Sequence, residues 1–259
     1  MIIYYLCSVD IFERKVKDYI SREGLPEAPE RLVVALSGGA DSVALLAVLT
    51  ALGYDCVAAH CNFHLRGNES TRDMHHAETV SGVLDTDLCV KDFDVDARRR
   101  ATGESIEMAC RELRYIWFGD LIDRLGARAV AVGHHREDSV ETFFINLLRG
   151  SGLGGLAGMK ARHGHVIRPL LECSRAEIEE YLRRRGLSWV DDSSNAGDDF
   201  LRNRLRHKLL PVLSEISDGA LDGILRSMSF LAENKTFYTR AVTRRAEAYR
   251  DSDTGDIDL

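Results

Sequence analysis

The chain reads as an α/β protein, a parallel sheet with helices on both faces, followed by a smaller all-α appendage. Three observations predict this. From Arg31 onward, β-branched runs alternate with helical stretches, as crossover connections between parallel strands require. The first run ends in Ser-Gly-Gly and passes at once into a helix, at the carboxyl end of a strand, where open α/β sheets bind their ligands. Beyond Ser217 the pattern is helical and amphipathic to about Tyr249.

LVVAL (32–36) is a continuous apolar run suited to a strand covered on both faces, and DSVALLAVLTAL (41–52) is long enough for a buried helix. CVAAH (56–60) repeats the strand signal and 69–83 the helical one; DLCVK (87–91) is a weaker strand. A long helix over 105–125, a strand over 129–133 and a helix over 139–148 complete the alternation. RGSGLGGLAGMK (149–160) breaks it with five glycines, too many for a helix interior and suited to a mobile loop. Ser174-Arg175-Ala176-Glu177 has the spacing of a capping box and predicts a helix to about Arg185. WVDDSSNAGDD is a polar loop, and 200–210 predicts a short basic helix stopped by Pro211.

With 45% hydrophobic and 29% charged residues, the 259-residue chain has enough apolar surface to fold. The start, MIIYYLCSVD, lacks a basic leader and a cleavage site, and no stretch approaches a membrane span, so a membrane partner is not expected. Six cysteines scattered without a C-x-x-C pair fit reduced thiols in a cytoplasmic protein better than a disulfide framework or a zinc knot. A net charge of −7 argues mildly against nucleic acid, but the arginine clusters at 98–100, 183–185 and 202–208 provide local positive charge.

The seam Ser37-Gly38-Gly39-Ala40-Asp41-Ser42 carries the chemistry. Helix-start amides, glycines that let the backbone come close and a helix dipole all favour phosphate. No G-x-x-x-x-G-K-[ST] is present, so this is not a Walker loop. An Asp beside a phosphate nest calls for a magnesium ion or a cationic substrate between them.

That seam resembles the S-G-G-x-D-S pyrophosphate loop of the ATP pyrophosphatases, which adenylate a substrate. Further motifs narrow the resemblance. Gly133-His134-His135-Arg136-Glu137-Asp138-Ser139-Val140-Glu141-Thr142 and the glycine-rich segment after it resemble stretches of the tRNA(Ile)-lysidine synthetases. His60-Cys61-Asn62-Phe63-His64-Leu65-Arg66-Gly67 is similar to their H-x-N-H-x-L-R-G segment, with Phe63-His64 where His and a small residue are usual. EMACRELRY (107–115) resembles their E-x-x-A-R-x-x-R-Y helix with Cys110 in place of Ala, and 191–195 and 200–206 resemble their D-x-S-N and R-N-x-x-R signatures. The resemblance covers about Leu32 to Leu213.

The resemblance implies an adenine nucleotide alpha hydrolase-like, Rossmann-like fold, with a PP-loop ATP-binding catalytic domain over 1–213. A helical tRNA-facing segment over 214–259 would begin a second domain. It implies a two-step ligation on the wobble cytidine of the CAU anticodon of tRNA(Ile). The base attacks the α-phosphate of ATP, releasing pyrophosphate, and the lysine amine then displaces AMP to give lysidine. Expected at ATP are Ser37, Gly38, Gly39, Ala40, Asp41, Ser42, His60, Asn62, His64, Gly133 and His134. Arg111 and Arg114, three apart on one helix face, are expected to neutralise the α-phosphate. Asp138 and Glu141 are expected to hold lysine, and Asp41 and Asp138 magnesium. Arg149, Gly152, Arg202, Arg204 and Arg206 are expected to meet tRNA, the last three having a rival reading as salt-bridge partners of Asp191, Asp192, Asp198 and Asp199. Many family members carry a further carboxy-terminal domain, so a chain ending at Leu259 is expected to be a short or truncated form; a homodimer is left open. The rivals are a tRNA thiolase, which needs paired cysteines or an iron-sulfur cluster, an amide-forming NAD or GMP synthetase, and a nucleotide-binding module without chemistry.

Overall fold

The computed structural model describes residues 10–190 and 201–249. By internal contacts the chain divides into two compact units, Met1–Arg136 with Lys160–Asn195, and Glu137–Met159 with Ala196–Leu259. The expected functional division at 213 does not coincide with this partition.

The first unit holds the sheet, ordered β3-β2-β1-β4-β6-β5. Its strands are β1 (Arg31–Ala35), β2 (Asp55–Asn62), β3 (Asp87–Asp92), β4 (Ala129–Ala131), β5 (Arg162–His163) and β6 (Val166–Ile167). All neighbours are parallel except the β5–β6 hairpin, which turns at Gly164 with φ +58°. Helices α1 (Ile11–Arg22), α2 (Ala40–Ala51), α3 (Asn68–Val83), α4 (Val95–Thr102), α5 (Ile106–Leu125) and α8 (Arg175–Arg185) belong to this unit. On one face Val33, Ala59 and Val130 pack with Trp117, Phe118, Leu121 and Ile122 of α5. By strand alternation Leu32, Val34 and Ala58 turn the other way. Helix α2 is buried along nearly its whole length, from Val43 to Leu49, which makes its first turn a rigid platform.

Local sequence explains most boundaries. Asp94 caps α4, accepting from Ala97 N–H at 2.8 Å, and Gly103 closes it in the left-handed region. The expected box before α8 is present: Ser174 Oγ accepts from Glu177 N–H at 3.2 Å, and Glu177 Oε2 accepts from Ser174 N–H at 2.7 Å. The arginine runs are internally paired, Arg98 with Glu104, Arg99 with Asp96, Arg184 with Asp10 and Arg185 with Glu13.

Four expectations are corrected. The strand predicted to reach Gly133 ends at Ala131, because His134 N–H bonds to Val132 carbonyl at 2.9 Å and closes a γ-turn. The second strand, expected over 56–60, runs on to Asn62. The glycine-rich segment contains a short helix, α7 (Leu153–Leu156), begun when Gly155 and Leu156 amides bond Gly152 carbonyl. Pro211 does not stop its helix. Helix α9 (Leu201–Arg204) passes through a π turn at Leu205–Leu209 into α10 (Leu210–Ile216), placing proline in a first turn, where its missing N–H costs nothing.

The second unit is helical: α6 (Arg136–Leu148) from Glu137 on, α7, α9, α10 and α11 (Ala220–Ala248). No helix of the described residues is long and apolar enough to cross a membrane.

Candidate functional site

The turn between β1 and α2 is cross-braced. Ser37 N–H donates to Ser42 Oγ at 3.1 Å, and Ser42 Oγ donates to Gly39 carbonyl at 2.8 Å. The two hydroxyls lie 3.1 Å apart. Gly38 has φ +93°, and a Cβ there would stand 3.0 Å from Val190 Cγ2, so both conformation and space demand glycine. Val190 N–H bonds to Gly38 carbonyl at 3.0 Å, pinning the loop from outside. Gly39 is the N-cap of α2 and provides no side-chain acceptor, so the first-turn amides and the positive end of the dipole are offered to an external anion.

Asp41 sits on that first turn, about a quarter exposed. Arg175 Nη1 donates to its Oδ2 at 2.8 Å, and His135 Nε2 lies 3.8 Å from its Oδ1. Arg175 also donates to Glu179 at 2.8 Å. Gly133 comes against the same turn: a Cβ there would meet Asp41 carbonyl carbon at 2.9 Å, its oxygen at 3.0 Å and Ser42 N at 3.1 Å.

The end of β2 is also ordered by polar contacts. His60 is buried and donates from Nδ1 to Leu36 carbonyl at 2.8 Å; burial lowers its pKa, against the pull of that hydrogen bond. Asn62 is buried, its Oδ1 accepting from His64 N–H at 3.2 Å. His64 adopts φ +53°, and its Nε2 bonds Asp92 Oδ1 at 2.7 Å. Arg114 lies over the Phe63 ring at 5.4 Å, and Arg111 over Tyr115 at 4.9 Å. The two arginines share a helix but stack on different rings. Burial pushes the thiols of Cys56 and Cys61 up to about 11, Arg114 opposing it at Cys61, so neither is a ready nucleophile.

In the second unit, Asp138 and Glu141 face a common arginine. Arg206 Nε donates to Glu141 Oε1 at 2.7 Å, and its Nη2 donates to Glu141 Oε2 at 3.2 Å and to Asp138 Oδ1 at 3.1 Å. Arg202 Nε lies 3.4 Å from Glu141 Oε2, and its Nη2 donates to Thr142 at 3.1 Å. Glu141 is wholly buried, and burial raises its carboxyl pKa against the pull of Arg206. The aspartates weighed as partners from the sequence, Asp191, Asp192, Asp198 and Asp199, lie outside the described residues; among the described residues Arg202 and Arg206 turn to α6. Arg204, Arg149 and Gly152 are exposed. Asn146 Nδ2 donates to Gly155 carbonyl at 2.8 Å and Ser139 Oγ accepts from Met159 N–H at 3.3 Å, which anchors the glycine-rich segment.

Comparison with known proteins places this arrangement. The family model of the PP-loop domain matches residues 9–213. The chain belongs to the PP-loop family. Within it, the chain is 43% identical over 232 residues to a tRNA(Ile)-lysidine synthase of Bacteroides thetaiotaomicron, covering 90% of this chain and 54% of that protein. It is 47% identical over 229 residues to one of Porphyromonas gingivalis, covering 88% and 50%, and 36% identical over 242 residues to one of Chlorobaculum tepidum, covering 92% and 73%. The chain thus spans about half the length of the first relatives it matches. Its fold is similar to the U34-tRNA thiolase NcsA from Methanococcus maripaludis, with TM-score 0.70 at 18% identity over 85% of this chain and 78% of that one. It is also similar to the NMN synthetase from Francisella tularensis, at 0.53 and 12% over 85% and 94%. These neighbours agree with the adenine nucleotide alpha hydrolase-like architecture expected.

Two contacts in this PP-loop domain were not foreseen, Arg175 and His135 on Asp41. In the sequence Arg175 stands only as part of a capping box. A signal was available, since a cation in a first turn opposes the helix dipole and so needs a carboxylate from elsewhere.

Proposed function

We propose that this PP-loop domain adenylates the wobble cytidine of a CAU-anticodon tRNA(Ile) with ATP, releasing pyrophosphate, and that the lysine amine then displaces AMP from the activated base to give lysidine. The observation that carries the reading is 36–47% identity to tRNA(Ile)-lysidine synthases along about nine-tenths of the chain. The turn at Ser37–Ser42 cradles the departing pyrophosphate through first-turn amides. Arg111 and Arg114 neutralise charge on the α-phosphate, and His60, Asn62, His64, Gly133 and His134 shape the nucleotide site. Asp138 and Glu141, both bonded by Arg206, are the carboxylates proposed to seat the lysine ammonium group. Arg204, Arg149 and Gly152, all exposed, and the 214–259 segment are the RNA-facing part.

Magnesium fits as an ion carried with ATP, for which the carboxylates of Asp41 and of Asp138 are each candidate hard-oxygen ligands, and it would offset phosphate charge. No group of three or more His, Cys, Asp or Glu among the described residues is placed to hold a metal, so phosphate and water oxygens would complete the shell. The raised thiols of Cys56 and Cys61 weigh against sulfur transfer. Reduced, scattered cysteines support a cytoplasmic setting.

The test is incorporation of radiolabelled lysine into CAU-anticodon tRNA(Ile) with ATP and magnesium, counting one AMP and one pyrophosphate per lysine. Incorporation that survives Asp41→Asn, or none with every substrate supplied, overturns the reading. Light scattering on the same preparation decides the homodimer.

A further inference from the structure

Arg168 leaves β6 and reaches the end of β4 within the first unit. Its Nε donates to His134 Nδ1 at 3.2 Å and its Nη1 to Lys160 carbonyl at 2.9 Å. Both residues are fixed at the backbone: Arg168 N–H bonds Ala161 carbonyl at 2.9 Å, and His134 N–H closes its turn on Val132 at 2.9 Å. Among the described residues Arg168 forms no salt bridge, although burial lowers its pKa, with Arg111 adding to that and Tyr115 opposing it. Among the described residues the hydrogen bonds of its guanidinium go to neutral groups.

A guanidinium has five donors and no acceptor. A hydrogen bond from Arg168 to Nδ1 therefore requires a lone pair on that nitrogen, and an imidazole with a lone pair on Nδ1 carries its proton on Nε2. We propose that Arg168 is a positioning residue that holds His134 as the Nε2–H tautomer, so that His134 enters the reaction as a hydrogen-bond donor and not as a base. The tautomer is a property of the protein alone; the donor role rests on the reaction proposed above. In that form the ring suits a phosphoryl oxygen, which accepts. It cannot take a proton from the lysine amine without giving up either its own proton or the bond to Arg168.

Nitrogen-15 spectra of the histidine-labelled full chain test this directly, with His134 assigned by difference against His134→Gln. Wild type is expected to show an unprotonated Nδ1 and a proton-coupled Nε2 at His134. In Arg168→Met the two tautomers average, and Arg168→Lys restores the wild-type pattern in part. In pyrophosphate–ATP exchange with the tRNA present, Arg168→Met is expected to lower kcat by about tenfold, somewhat below the roughly 10²–10⁴-fold that a correctly positioned acid–base or donor group contributes. KM for ATP should stay within roughly twofold, since ground-state binding is not what the tautomer serves. A proton on Nδ1 in wild type, or an unchanged His134 pattern in folded Arg168→Met, overturns the proposal. If that variant fails to fold, the wild-type spectrum still decides. The spectra need neither tRNA nor lysine. The expected tautomer together with absent lysine incorporation would sink the reaction and leave the positioning role standing.

Discussion

Gly133→Ala tests how tightly the end of β4 is fitted to the phosphate turn. The added Cβ would stand 2.9 Å from Asp41 carbonyl carbon, 3.0 Å from its oxygen and 3.1 Å from Ser42 N. These are backbone atoms of a buried helix, so they cannot rotate away as a flexible side chain would. Relief requires a shift of roughly half an ångström in the first turn of α2 or in the exit of β4, and overpacking of this kind costs about 1–3 kcal/mol. The thermal midpoint should therefore fall by about 2–12 °C, at about 2–4 °C per kcal/mol for a chain of this size. Function should fall further, because the displaced amides are those proposed to grip pyrophosphate, and misplacement by about 1 Å can cost 100-fold. Pyrophosphate–ATP exchange is expected to drop by about 10- to 100-fold while the protein stays folded at 25 °C. Gly119→Ala is the matched control. Gly119 lies inside α5 with nothing within 4 Å of the added atom, so alanine should stabilise by about 0.5–1 kcal/mol and leave exchange unchanged. Wild-type exchange and midpoint in Gly133→Ala would show slack at this contact and refute the account of the turn.

Three other outcomes follow from the packing. Arg206→Met leaves the wholly buried Glu141 without its two-pronged donor and should cost about 3–5 kcal/mol by chemical denaturation, Arg202 recovering part; adding Glu141→Gln should restore most of the loss, and additive losses would contradict the pairing. His60 has a folded pKa lowered by burial from 6.5, so its contribution to stability is complete above about pH 6.5 and is lost as pH falls toward the lowered folded value. Below pH 6.5 wild type should lose up to about 1.4 kcal/mol per pH unit from this group, a slope that thermal melts of His60→Asn should lack. Ser174→Ala removes the cap of α8 and should lower stability by about 1 kcal/mol, with a weaker ATP response if Arg175 loses its hold on Asp41; an unchanged melt would show the cap is redundant.

What the sequence determined by itself is local. Apolar runs of four or five residues marked β1, β2 and β4, since burial on both faces of a parallel sheet demands them. Ser174 and Glu177 announced α8 because a capping box is satisfied within four residues. The seam at Ser37–Ser42 was legible because glycine, conformation and helix start act at adjacent positions. The two-residue strands β5 and β6 were too short to show a period, and the passage of Pro211 depended on a π turn that no local pattern announces. Only the tertiary structure decided which charges meet. Asp41 and Arg175 are 134 residues apart, Glu141 and Arg206 65, and His134 and Arg168 34. A buried carboxylate must find a cation somewhere, but composition leaves many to choose from, and the choice is made by the folded backbone that brings one of them within 3 Å.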